Sequence, residues 1–185
     1  MSKVYVLLAD GFEEIEGLTV VDLLRRAGIE VVLASIKDST AIKGARGINV
    51  VADELLSDIK DSADMVVLPG GMPGTNYLKE SPAVRDMVQS YYDNGKYIAA
   101  ICAAPTVFGD MGLLNGKKAT CYPGLEPGLK GAMWPGEGES VVQDGKIITS
   151  RGLGTAIDFS LKLIEVLKDS KKADDIAQSV VYKRK

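Results

Sequence analysis

Short, mostly apolar runs alternate along this chain with longer segments whose apolar residues recur at helical spacing. KVYVLLA (residues 3–9) ends in the turn-like DGFEE, and residues 14–27 then place Ile15, Leu18, Val21 and Leu24 on one helical face before Gly28. EVVLASI (30–36) follows. Strand, helix and strand in this order form a βαβ unit, which forces the two strands to run parallel. The pattern repeats with DMVVLPGG (64–71), a helix opened by Ser81-Pro82 and closed by Asn94-Gly95, YIAAIC (97–102), and a helix started by Pro105. A last helix over 155–169 turns Ile157, Leu161 and Ile164 inward. Runs without a polar face need cover on both sides, so the expected architecture is an α/β sandwich with a mainly parallel sheet and helices on both faces.

Two further segments read as hairpins. TAIKGARGINVVADE (40–54) alternates around two glycines and is expected as an appendage of the sheet, and VVQDGKIITS (141–150) turns at Asp144-Gly145. The Gly- and Pro-rich stretch 122–140 is expected as surface loops. With 185 residues and no composition shift that would mark a linker, residues 1–185 are read as a single domain. No apolar run has the length of a membrane span, and the N-terminus enters a strand pattern with no cleavage site, so a cytoplasmic location is expected. The net charge of −3 gives no basic footprint for nucleic acid.

The chain contains no histidine. It therefore cannot build a Ser-His-Asp or Cys-His pair, or a zinc site with histidine ligands, from its own residues. A nucleophile here needs a carboxylate, tyrosine or lysine as proton carrier. Two cysteines do not make a disulfide framework, and both are expected as thiols.

Sites in parallel α/β sheets form at the carboxyl ends of the strands. Three strand ends stand out: DGFEEIEG, LPGGMPG and ICAAPT. Cys102 sits where a buried strand turns into a helix, among Ala99, Ala100, Ala103 and Ala104. Small neighbours suit a tight strand-to-helix elbow, and a helix N-terminus favours the thiolate. A packed core thiol is the competing reading. Glu13, Glu14 and Glu16 lie near the first helix start, where at least one must approach the sheet end. The residues alone do not choose among them. LPGGMPG is neither a P-loop nor G-x-G-x-x-G, and its glycines fit close backbone approach or an oxyanion contact. Cys121 and Tyr122, in KKATCYPG at the end of an expected strand, are pocket candidates, with pairing of Cys121 to Cys102 open.

DGFEEIEG, GGMPG, AAICAAP and TSRGLGTAIDF, in this order and spacing, resemble the ThiJ/PfpI superfamily, most closely its parkinsonism-associated deglycase branch with bacterial relatives. The resemblance runs over essentially the whole chain. It implies a flavodoxin-like fold, a homodimer and a reactive cysteine at the elbow. By motif, Cys102 matches that cysteine, Glu16 the glutamate that contacts it, and the backbone N–H groups of Gly71 and Ala103 the oxyanion donors. Arg25 and Arg46 resemble arginines bordering the pocket near the dimer contact. The sequence departs from the branch where a pocket histidine precedes proline: here Tyr122-Pro123 stands. Peptidase relatives carry histidine directly after the cysteine, where this chain has Ala103, so a protease or amidotransferase is not expected.

What the resemblance implies is an enzyme without cofactor or metal that acts on methylglyoxal-type dicarbonyls or their protein and nucleotide adducts, as a glyoxalase or deglycase. The alternative is a redox sensor or redox-regulated chaperone in which Cys102 is oxidised to sulfinate and held by Glu16.

Overall fold

The computed structural model describes residues 2–184. Seven strands form one sheet: β1 (Lys3–Leu8), β2 (Glu30–Ser35), β5 (Glu54–Leu55), β6 (Met65–Leu68), β7 (Tyr97–Ile101), β8 (Val141–Asp144) and β9 (Ile147–Ser150), in the order β5-β2-β1-β6-β7-β9-β8. All neighbours run parallel except β8, which pairs antiparallel with β9 at the edge. The central strands are apolar throughout because both faces are covered. Residues 4–8, 65–68 and 98–101 are buried without interruption.

Alternation within each strand feeds two cores. Val4, Val6, Met65, Val67, Ala99 and Ile101 face one side. That side is closed by α1 (Glu14–Arg26), α5 (Ala156–Leu167) and α6 (Ser170–Ser179), with α1 packed on α5 and α5 on α6. Tyr5, Leu7, Val66, Leu68, Ile98 and Ala100 face the other. There α2 (Gly74–Glu80), α3 (Pro82–Asp93) and α4 (Pro105–Asp110) provide the cover. The result is a flavodoxin-like sandwich with helices on both faces. Ser81 caps α3 by accepting from the Val84 N–H, with Pro82 at the first helical position. The first helix starts beyond the carboxyl end of β1, which brings its first turn to the level of the ends of β6 and β7.

Several expectations are corrected. Ile15 points outward and is about half exposed, whereas Glu14, Glu16 and Gly17 are buried. The first turn of α1 lies over polar strand-end loops, so its acidic side chains find donors there while the apolar stripe begins at Val20. The hairpin of β3 (Ala41–Lys43) and β4 (Asn49–Val51) forms its own two-stranded sheet, and only β5 beyond it joins the main one. Residues 117–121 form no strand. They run as coil with a single bridge from Lys118 to Met133, and the Thr120 N–H is satisfied by the Thr149 hydroxyl instead of a neighbouring strand. Two helices not expected from the sequence are also present: α2, and α6, which buries Ala173, Ile176 and Ala177 on one face.

Candidate active site

Cys102 directly follows β7 and has a positive φ of 65°, a conformation costly for any residue with a side chain. The elbow is fixed from both sides: the Cys102 N–H donates to the Ser150 carbonyl (3.0 Å) and its carbonyl accepts from the Tyr122 N–H (2.8 Å). Ala103 and Ala104 are buried, so small side chains are what the bend accommodates. Pro105 then opens α4.

The β6 end supplies the facing wall. The Glu13 N–H donates to the Gly70 carbonyl (2.9 Å), and the Gly70 N–H donates to Glu16 Oε2 (3.0 Å). Gly71 has φ 94°, and a β-carbon there would lie 2.3 Å from the Glu13 nitrogen. The tandem glycines therefore serve close backbone approach, and no other residue fits the second position. Gly70 is constrained differently: a β-carbon would stand 2.6 Å from both Cys102 Cβ and Glu16 Oε2.

Three neighbouring glutamates take three different roles. Glu13 pairs with Arg46 (3.3 Å), Glu14 accepts from the backbone N–H groups of Arg46 (2.8 Å) and Ile48 (3.3 Å), and Glu16 turns into the cleft beside the Cys102 thiol. Burial raises the Glu16 carboxyl to about 7, opposed by the Cys102 thiol and by the N–H groups of Gly70 and Leu153. Burial, and then the facing Glu16 charge, pushes the Cys102 thiol up to about 12, while the N–H groups of Ala103 and Gly71 pull it down. Burial and the facing acid thus both disfavour an isolated thiolate at this elbow. Helix α4 has only six residues, and burial together with a facing acid outweighs its end. Two acids in contact in a dry site share one negative charge, and the first proton leaves the pair near neutral pH.

The cleft above Cys102 has a volume of about 660 Å³ and is lined by Glu13, Glu16, Arg46, Gly71, Ala103 and Tyr122 among others. Tyr122 is half exposed at its rim. Arg25 lies elsewhere: its guanidinium bonds the Val31 carbonyl (2.9 Å) and Asp53 (2.8 Å). It sits in the last turn of α1, about 13 Å along the helix from Glu16, and so belongs to the opposite end of the sheet. Cys121 is buried in the core facing α3 and α4, whereas Cys102 packs against the other core. The two thiols thus face different cores, although the Tyr122 N–H bond to the Cys102 carbonyl brings the backbones of Cys121 and Cys102 side by side. Among the described residues no group of three or more cysteine or carboxylate side chains is arranged to hold a metal ion.

The sequence pattern of the DJ-1/PfpI family matches residues 2–166. The chain belongs to that family. Protein dj-1beta of Drosophila melanogaster is 42% identical over 183 residues, covering 98% of each chain. The glutathione-independent glyoxalase DJR-1.2 of Caenorhabditis elegans is 32% identical over 176 residues, covering 95% of this chain and 93% of that one. The solved structure of oxidized Toxoplasma gondii DJ-1 superposes with a TM-score of 0.93 at 42% identity, covering both chains completely. The sequence of this DJ-1/PfpI member singles out Cys102 through its alanine-flanked elbow. Two features of its cleft carry no such signal: the Leu153 N–H that reaches Glu16, and Met72, which lines the mouth. No helix among the described residues is long and apolar enough to cross a membrane.

Proposed function

We propose that this protein is a cofactor-independent, cysteine-dependent glyoxalase or deglycase acting on methylglyoxal-type dicarbonyls or their adducts. The observation that carries this reading is the buried Glu16–Cys102 pair with the Gly71 and Ala103 N–H groups directed at the sulfur. The named activity of the Caenorhabditis elegans relative supports it.

Glu16 takes the thiol proton, and the thiolate attacks the aldehyde carbon of methylglyoxal. The resulting alkoxide faces the Gly71 and Ala103 N–H groups and is protonated to a hemithioacetal. Glu16 then removes the proton from the former aldehyde carbon, giving an enediol, and returns a proton to the adjacent carbon. The product on Cys102 is a lactoyl thioester. Water cleaves it to lactate and restores the thiol, so one methylglyoxal and one water yield one lactic acid. A carboxyl poised near 7 can both accept and donate at neutral pH, which is the property this shuttle requires. With Tyr122 in place of a pocket histidine, Glu16 carries the whole proton traffic. Lactate formation from methylglyoxal without added thiol, abolished in Cys102→Ser, tests the proposal; equal lactate from both proteins overturns it.

A second reading has its own support. A protonated Glu16 can donate a short charge-assisted hydrogen bond to a sulfinate on Cys102, and the Toxoplasma gondii relative is described in an oxidized form. Sulfinate confined to Cys102 at low peroxide, in a protein without dicarbonyl turnover, would favour this sensor role. Either role is proposed for a homodimer. Ile15 and Ile48, brought together through Glu14, are about half exposed and offer an apolar patch beside Arg46 to a second copy. Sedimentation of the wild type against an Ile15→Glu, Ile48→Glu variant checks it, with a monomeric variant expected.

A further inference from the structure

Arg151, in the TSRGLGT segment, takes no part in the chemistry above. It follows Ser150, which pairs with Ile101, just as Cys102 follows Ile101. The two residues therefore leave neighbouring strands side by side, about 5 Å apart at the backbone. Arg151 Nη1 donates to the Glu137 carbonyl (2.6 Å), while its Nε is buried without a partner among the described residues. Arg25, Arg26, Arg46 and Arg184 each pair with a carboxylate; Arg85 and Arg151 have no such partner among the described residues, and of those two Arg151 is the one beside the Cys102 cleft.

The side chain lines a second hollow of about 340 Å³, together with Tyr122, Pro123, Ser140, Leu153 and Thr155. Tyr122, Pro123 and Leu153 also line the Cys102 cleft, so the two spaces share a wall. Their charges differ. The cleft carries Glu13 and Glu16 against Arg46, whereas among the described residues Arg151 is the only charged one lining the second hollow. An anionic group is repelled beside Glu16 and attracted beside Arg151. The Arg151 charge is not neutralised by a carboxylate among the described residues, and a carboxylate or phosphate oxygen meeting the accessible part of this partly exposed guanidinium gains a charge-assisted bond.

We propose that the Arg151 hollow is a subsite for the carboxylate or phosphate of a substrate whose carbonyl reaches Cys102, so that the preferred substrates are anionic α-oxoaldehydes or their adducts. The identity of the reaction rests on the function proposed above; the anion subsite does not.

Two measurements separate them. The ratio of kcat/KM for 3-phosphooxy-2-oxopropanal to that for methylglyoxal is compared among wild type, Arg151→Gln and Arg151→Lys. The ratio is expected to fall about tenfold or more in Arg151→Gln and to recover in part in Arg151→Lys. An unchanged ratio overturns the subsite. Independently of turnover, inorganic phosphate and acetate are titrated into Cys102→Ser while the amide resonances of residues 152–155 are followed. Saturable shifts that vanish when Arg151→Gln is added support the subsite, and the stronger of the two anions identifies its chemistry. Absence of saturable shifts, or shifts that persist without Arg151, overturns it. If the wild type turns over neither aldehyde, the proposed reaction fails and the anion titration alone decides the subsite.

Discussion

The carboxyl of Glu16 and the thiol of Cys102 meet over Gly70, whose missing side chain is what lets them touch: a β-carbon there would lie 2.6 Å from each residue. Both readings of the protein's function, the glyoxalase or deglycase and the sensor, pass through that contact. It joins the first turn of α1 to the end of β7 across the end of β6.

Glu16 is expected to make stability depend on pH. Its folded value of about 7 lies above the ordinary 4.5 of an unfolded chain, so between these the native state binds more protons and stability falls as pH rises. The contribution is fully present below 4.5 and is lost as pH rises through 7, amounting to about 3 kcal/mol for this buried group. Glu16→Gln should therefore melt higher than the wild type at pH 8, by several degrees, with the difference shrinking towards pH 4. Thermal melts across that range check the sign.

Gly70→Ala should separate the pair. Its β-carbon has nowhere to go between Cys102 Cβ, Glu16 Oε2 and the Ile101 carbonyl oxygen. Overpacking of this kind costs about 1 to 3 kcal/mol. Denaturant unfolding and the alkylation rate of Cys102 are both expected to change, in contrast to a purely structural defect that would leave thiol reactivity alone.

Cys121→Ser should leave oxidation of Cys102 unchanged. The two thiols belong to opposite cores, and Cys121 is buried with its thiol pushed up to about 12 by burial and the nearby Glu126 charge. Peptide mapping after peroxide should show oxygen added to Cys102 and no peptide linking residues 102 and 121.

The order of strands and helices was legible because each central strand is apolar on both faces, a pattern that only a doubly covered sheet explains. Cys102 was legible for a related reason: alanines on both sides of a strand-end cysteine leave room for a bend. Choosing Glu16 over Glu13 and Glu14 was not possible from residue types, since all three suit a helix start. What separates them is which donors the loops present: backbone N–H groups of 46 and 48 for Glu14, Arg46 for Glu13, and the thiol for Glu16. The same loops explain Ile15, because a first turn that sinks its carboxylates must turn the residue between them outward. Arg25 was misplaced because its motif carries no information about helix length, and thirteen residues of α1 take it to the far end of the sheet.

Arg25→Ala should consequently affect stability and not chemistry. Its pair with Asp53 is about half exposed on both sides, worth at most about 1 kcal/mol. A melting point lowered by a few degrees with an unchanged KM for methylglyoxal is expected.

The most direct test of the shared proton is the rate of Cys102 alkylation by iodoacetamide as a function of pH, in the wild type and in Glu16→Gln. If Glu16 and Cys102 hold one negative charge between them, the wild-type rate steps up near pH 7 as the pair loses its first proton and then levels. The variant lacks that step and shows a single rise at higher pH, set by thiol burial alone. Superimposable profiles from the two proteins would contradict the account, because Glu16 would then have no part in activating Cys102.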